Sequence, residues 1–331
     1  MGTSYNWAIL GAGHIARKFA ADLKLLPNAR LYAVGSRSSN RANEFAGEFG
    51  IEKACGSYGE LAADPEVDIV YIASRHTGHY RDTMLCLEQG KHVLCEKPAA
   101  MNGRQLEKMV MLARSKKLFF MEALWTRFLP SFRKVKELVD SGAIGEVRII
   151  EADFCLNVPH NPDHRIWNPD AGGGSLLDIG IYPLFAAMTL GSPVSVITAN
   201  AKLDDNGIDT FCSMQCVHEK GERSLLYSTI TTGGRNELLL HGSKGQLLLN
   251  SWWHTPTSID LLRADGATEH LTFNIPGNGY QYEAAEVMRC IDEGKSESPD
   301  WSVEHSKRLM ALLDTVRQQT GIRYPEVVEA V

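Results

Sequence analysis

From Tyr5 to about Glu122, short apolar runs alternate with stretches whose apolar residues recur at helical spacing. Residues 7–10, 31–35, 68–73, 92–95 and 118–121 read as strands, and helices are predicted over 15–23, 41–49, 79–89 and 102–116. Strands that are almost continuously apolar are buried on both faces, as in parallel βαβ units with helices covering the sheet. A right-handed, doubly wound parallel sheet is the expected result.

The pattern changes after residue 122. A helix predicted near 130–141 leads into a longer strand over 145–154. Residues 194–275 then give strand-like runs separated by turn sequences at 204–207, 231–234 and 242–245, which suits an antiparallel sheet. Helices near 280–293 and 302–319 close the chain. In the latter, Val303, Leu309, Leu312, Leu313 and Val316 recur at helical spacing and predict core packing. The economical division is an α/β domain over 1–122 and an α+β domain over 123–331.

A length of 331 residues agrees, since about 150 residues per domain gives roughly two domains. The balance of 34 basic and 40 acidic residues, net -6, disfavours an extended nucleic-acid or anionic-membrane surface while permitting a local basic pocket. No run approaches 18 consecutive apolar residues, so no membrane span is expected. Seven scattered cysteines leave no complete disulfide framework, and with no signal-like N-terminus a cytoplasmic location is expected. The Cys212-x-x-x-Cys216 pair reads as two strand residues.

Gly11-Ala12-Gly13-His14-Ile15-Ala16 follows the first strand and opens a helix. Gly11 permits the tight turn, Gly13 lets the backbone approach a pyrophosphate, and Ala16 allows close helix–strand contact. Gly11, Gly13, His14 and Ile15 are therefore candidate cofactor contacts, although glycines at such a place also simply make a turn. The second strand ends in Ser36-Arg37-Ser38, with Arg41 one turn on, where an NAD site usually carries an acid. Guanidinium groups there suit the 2′-phosphate of NADP(H), so that cofactor is favoured over NAD(H); a solvated arginine pair is the plain alternative.

Cys95-Glu96-Lys97-Pro98 ends a strand at the carboxyl edge, where ligands bind in open α/β sheets. Lys97 can bind a substrate hydroxyl or pass its proton, Glu96 can line the cofactor, and Pro98 can follow a cis bond. A surface Glu–Lys pair is the competing reading. His76 and His79 follow the strand over 68–73 and are candidate cleft residues; a metal site would need further ligands at suitable spacing. In the run GGGSLLDIGIYP over 172–183, Ser175 reads as an N-cap, Asp178 and Tyr182 share a helical face, and Pro183 predicts a kink. A carboxylate and a phenol so placed can grip and protonate an oxygen, or belong to an ordinary capped helix.

Together these segments, with GKHVLCEKP over 90–98, resemble the Gfo/Idh/MocA family of nicotinamide-dependent oxidoreductases along nearly the whole chain. The resemblance implies a Rossmann domain followed by a domain with an open, mostly antiparallel sheet that often serves as a homodimer surface. It implies that Lys97 is catalytic near the nicotinamide and that Asp178 binds a substrate hydroxyl. Many members have His at the position of Tyr182. Tyrosine there, together with EALWTRFLP over 122–130, is similar to the dihydrodiol dehydrogenase branch, which uses NADP on trans-dihydrodiols and some aldopyranoses, including D-xylose.

A phenol has a reference pKa near 10 against about 6.5 for imidazole, so Tyr182 needs a cation to act at neutral pH, and Lys97 is the candidate. Tyr182 as proton carrier and Lys97 as proton carrier both remain open. Trp125, supported by the resemblance, and Arg165 and Trp167 are candidate substrate contacts for a sugar or ring diol. His160 and His164 lie in a polar loop that suits either a lid or plain solvent exposure. The expected activity is hydride transfer to or from a CH–OH group of a small polyhydroxylated substrate. The alternatives are a keto-sugar reductase of the anhydrofructose type, an inositol or aldose dehydrogenase, and a non-catalytic NADP sensor.

Overall fold

The computed structural model describes residues 4–331. Two compact units are formed, one from residues up to Arg127 with 276–307 and 328–331, the other from 128–275 with 308–327.

The first unit holds β1 (Tyr5–Leu10), α1 (His14–Leu23), β2 (Ala29–Gly35), α2 (Ser39–Phe49), β3 (Lys53–Cys55), α3 (Tyr58–Ala62), β4 (Ile69–Ile72), α4 (His79–Glu88), β5 (His92–Glu96), α5 (Gly103–Lys116) and β6 (Phe120–Ala123). Its sheet runs β3-β2-β1-β4-β5-β6 with every pair parallel. The order reverses between β1 and β4, the crevice at which dinucleotides bind in doubly wound sheets. Strand β4 and, apart from the half-buried Asn6, strand β1 are apolar because both faces are covered, and Phe19 of α1 stacks on Tyr71 of β4 at 3.7 Å between ring centres. The three-residue edge strand β3 carries too little pattern to be read from sequence.

The second unit contains α6 (Pro130–Asp140), β7 (Val147–Cys155), α7 (Ile181–Leu190), β8 (Val194–Leu203), β9 (Asp209–His218), β10 (Arg223–Thr229), β11 (Leu238–Gly242), β12 (Gly245–Leu249), β13 (Ile259–Arg263) and β14 (Thr268–Leu271). Its sheet order is β14-β13-β12-β11-β7-β10-β9-β8, antiparallel except for the parallel pair β7–β10. In β10, Leu225 and Tyr227 are exposed and alternate with buried Ser224, Leu226 and Ser228, so one face of this sheet is open.

Helix α8 (Gln281–Asp292) belongs to the first unit, although the sequence reading placed all of 123–331 in the second domain. Its entry is tied to α1: the Asp22 carboxylate accepts the backbone N–H groups of Asn278 and Tyr280, each at 2.9 Å. The final long helix, α9 (Val303–Thr320), buries Leu309, Leu313 and Val316 as expected and leaves Leu312 only half-buried; a short α10 (Glu326–Glu329) follows. One helical stretch among the described residues, Pro169–Leu190, is long and apolar enough to cross a membrane, but 89% of its window is buried inside the protein. It is a core helix.

Candidate active site

At the crevice, Gly11 has φ +109°, and a Cβ there would lie 2.7 Å from the Ala73 carbonyl oxygen. Only glycine fits. A Cβ on Gly13 would meet nothing within 4 Å, leaving open space at the start of α1. No side chain caps α1 and no acid stands in its first turn, so its leading amides face that space with the positive end of the helix dipole. The exposed His14 and half-buried Ile15 begin the helix, and Ala16 is fully buried against the strand. This cradle fits a pyrophosphate.

At the end of β2, Ser36 is buried and its Oγ accepts the Ser38 N–H at 3.2 Å. Arg37 and Arg41 are exposed, Arg41 in the first turn of α2. Arg37 hydrogen-bonds the Tyr58 phenol, whose pKa burial pushes up despite that contact. Two guanidinium groups with no carboxylate at this strand end fit a 2′-phosphate.

Beyond β4, His76 is buried in a short turn. His79 corrects the sequence reading. It is fully buried, with Nδ1 2.7 Å from the Pro98 carbonyl and Nε2 3.1 Å from the Ser74 carbonyl, so both ring nitrogens face backbone rather than the cleft.

The Lys97–Pro98 peptide is cis. Glu96 is buried and turns inward: one carboxylate oxygen accepts the Tyr71 hydroxyl and the other the Lys97 N–H. The surface Glu–Lys pair is therefore not what forms here, and Glu96 fixes the turn that presents Lys97, which is half-buried. Trp125 stacks on Tyr280 at 4.4 Å with the rings 10° apart. Tyr280 was not singled out from sequence, since a lone tyrosine near the start of a helix gives no signal.

In the second unit the glycine run ends differently from expectation. Ser175 is already helical and makes no N-cap bond. The cap comes from Asp209 on β9, whose Oδ2 accepts the Leu176 N–H at 2.6 Å and the Ser175 hydroxyl at 3.0 Å. Gly174 has φ +106°, and a Cβ there would fall 1.9 Å from Asp209 Oδ1, so glycine is what admits the carboxylate. Burial pushes the Asp209 pKa up to about 7 against the pull of these hydrogen bonds.

Leu176–Gly180 forms a π-turn that runs into α7. The wider turn directly precedes Pro183, which lacks an N–H and crowds the preceding turn. Because the π-turn ends between Asp178 and Tyr182, their side chains meet different partners. Asp178 is buried and pairs with Arg165 at 2.9 Å. Tyr182 packs against Phe154 at 5.5 Å and His254 at 5.1 Å, and His254 stacks on Phe154 at 4.0 Å. Trp252, 46% exposed, meets Phe154 edge-on.

Phe154, Trp252 and His254 escaped the sequence reading, although three consecutive ring residues over 252–254 were a usable signal. Trp167 corrects the reading in the other direction: its indole N–H donates to the Pro159 carbonyl at 3.1 Å and its ring lies against His160, so it shapes the loop. All seven cysteines are free and buried. Among the described residues no group of three or more His, Cys, Asp or Glu side chains is arranged to hold a metal ion.

Comparison with known proteins agrees with this architecture. Residues 5–124 match the model of the GFO/IDH/MocA oxidoreductase family, NAD-binding Rossmann fold, and residues 132–248 match the GFO/IDH/MocA C-terminal domain. The chain is 36% identical over 336 residues to the Homo sapiens trans-1,2-dihydrobenzene-1,2-diol dehydrogenase, covering 97% of this chain and 98% of that protein. It is 35% identical over 330 residues to the Xenopus tropicalis enzyme of the same name, covering 97% and 99%. A 3-ketoreductase from Actinomadura kijaniata, solved with NADP and TDP-benzene, superposes with a TM-score of 0.86 at 28% identity, covering 96% of this chain and 98% of that one. An aldose-aldose oxidoreductase from Caulobacter crescentus shares the fold with a TM-score of 0.87 at 23% identity, covering 96% and 98%.

Proposed function

The chain belongs to the Gfo/Idh/MocA family of nicotinamide-dependent oxidoreductases, and we propose that it moves hydride between NADP(H) and a CH–OH carbon of a trans-dihydrodiol or a closely related aldopyranose. The observation that carries this reading is the pairing of Arg165 with the buried carboxylate of Asp178, one turn before Tyr182. A buried, charge-paired carboxylate offers a fixed acceptor for a substrate hydroxyl, and Tyr182 supplies an exchangeable proton held in an aromatic wall.

When bound, the nicotinamide supplies or accepts the hydride. Asp178 accepts a hydrogen bond from the hydroxyl next to the reacting carbon and so orients the substrate. Tyr182 gives its phenolic proton to the nascent alkoxide in reduction and takes it back in oxidation. By the family resemblance, Lys97 acts beside the nicotinamide in the first unit. Arg37 and Arg41 favour NADP(H) over NAD(H) through the 2′-phosphate. The exposed Val196, Leu225 and Tyr227 on the open sheet face support a homodimer through that face.

The test is NADP+-linked absorbance at 340 nm across trans-dihydrodiols, aldopyranoses, inositols and keto-sugars, with light scattering on the same sample. A dihydrodiol or aldopyranose should be the best substrate, and Tyr182→Phe should lose about 100-fold or more in kcat while keeping its melting temperature. NADPH binding without turnover on any of these substrates would refute the enzyme reading. Full kcat in Tyr182→Phe at every pH would refute the tyrosine's role, and a monomeric mass would refute the dimer.

A further inference from the structure

The Arg165–Asp178 pair is built from two separate turns of the second unit, Arg165–Trp167 and the π-turn Leu176–Gly180. Both turns are tied to the glycine run over 172–174. The Gly174 N–H donates to the Ile166 carbonyl at 2.9 Å, and the Gly173 N–H donates to the Asn168 carbonyl at 3.0 Å. A Cβ on Gly173 would lie 2.6 Å from the Ile166 carbonyl oxygen and 2.8 Å from that of Arg165, so this approach needs glycine. The Tyr324 hydroxyl, from the chain after α9, donates to the Gly173 carbonyl at 3.0 Å.

Asp209 stands where this run becomes the π-turn. Its Oδ1 occupies the place that a Cβ on Gly174 would take, while its Oδ2 holds the Ser175 hydroxyl and the Leu176 N–H. Ser175 also meets the Ser228 hydroxyl of β10 at 3.1 Å, and Ser175, Asp209 and Ser228 are all fully buried. Two buried donors without an acceptor are costly, so Asp209 fixes the start of the π-turn, two residues before Asp178. We propose that Asp209 is a positioning residue for the substrate, locking the Arg165 turn and the π-turn into one arrangement so that the Asp178 carboxylate keeps a fixed direction. The task is hydrogen-bond acceptance at Oδ2, which a carboxyl group offers with or without its proton. Without that acceptor the π-turn is free to shift, and a displacement of about 1 Å is enough to weaken the hold of Asp178 on a hydroxyl.

The role rests on Asp178 accepting a substrate hydroxyl, as proposed above, and the experiment separates the two ideas. Full-length Asp209→Ala, Asp209→Asn, Asp178→Asn and the Asp209→Ala/Asp178→Asn double variant are assayed at 340 nm with NADP+ and either trans-1,2-dihydrobenzene-1,2-diol or D-xylose, below the melting temperature of each. Asp209→Ala should raise KM about tenfold and change kcat less, the scale of one weakened hydrogen bond to a charged group. NADPH affinity, read by fluorescence titration, should stay unchanged, because the phosphate cradle lies in the first unit. Asp209→Asn keeps an acceptor oxygen and should recover most of the loss. In the Asp178→Asn background, Asp209→Ala should add less than about twofold, as expected of two residues acting through one contact. Amide exchange over 172–180, read by mass spectrometry without ligand, should quicken in Asp209→Ala and return toward wild type in Asp209→Asn.

Should Asp209→Ala fail to fold, Ser175→Ala replaces it by removing one of the two donors, and a smaller rise in KM is expected. An unmoved KM in the variant that folds, a fully additive loss in the double variant, or an Asp209→Asn as impaired as Asp209→Ala overturns the proposal. Full kcat/KM in Asp178→Asn overturns the substrate-hydroxyl reading instead, and exchange over 172–180 then decides by itself whether Asp209 holds the pair.

Discussion

Replacing Asp209 by asparagine isolates one proton in the folding equilibrium. In the native state this carboxyl is fully buried, holds the Leu176 N–H and the Ser175 hydroxyl, and has its pKa pushed up to about 7 by burial. In the unfolded chain an aspartate titrates near 3.9. Between about pH 4 and pH 7 the native state therefore binds the extra proton, and stability falls as pH rises. The gap between the two values is worth about 4 kcal/mol, absent below about pH 4 and fully developed above about pH 7.

Asparagine keeps an acceptor oxygen for both donors and cannot ionise. Urea unfolding followed by tryptophan fluorescence, repeated from pH 4.5 to 8, should give a variant whose stability curve is flatter than wild type by up to about 1.4 kcal/mol per pH unit. Relative to wild type, the variant should gain with rising pH. Parallel curves across that window would refute the assignment of a raised, proton-holding Asp209.

Two further outcomes are expected. Arg37→Asp should weaken NADPH binding at least tenfold more than NADH binding, the scale of one lost charged hydrogen bond, as read by fluorescence titration; equal losses for the two cofactors would sink the 2′-phosphate assignment. Glu283 on α8 is fully buried, has no hydrogen-bond partner for either oxygen among the described residues, and is pushed well up first by burial and then by the charges of Glu96 and Asp22. Its native carboxyl holds its proton to higher pH than the unfolded one, which ionises near 4.3, so native stability is lost as pH rises. Glu283→Gln should therefore melt higher than wild type at pH 8 with the gap narrowing toward pH 5, and an identical gap at both pH values would count against it.

The parallel sheet was legible because burial on both faces writes near-continuous apolar runs, and residues 7–10 and 68–73 show them. Gly11, Lys97, Asp178 and Tyr182 stood out as candidates because their signals are local: a turn, a strand end and one helix face. The helix over 281–292 was seen but not its packing, since an amphipathic pattern says which side is buried and not against what. His79 and Trp167 were misread for the same reason. Side-chain chemistry suggested a cleft, while the partners that consume it are the carbonyls of Ser74, Pro98 and Pro159.

The sequence by itself determined two layered architectures, the glycine turn after β1 and the basic residues that end β2, and it marked Lys97, Asp178 and Tyr182 as candidates. Each of these is a matter of residue type at short spacing. Only the tertiary structure decided that Asp209, more than thirty residues along the chain from the turn it caps, does the work expected of Ser175. It also decided that a π-turn precedes Pro183, that His254 backs Tyr182, and that Glu122 holds the Ala99 N–H in the turn after Lys97. Those outcomes depend on burial and on partners remote in sequence, where the cost of leaving a polar group unpaired selects the arrangement.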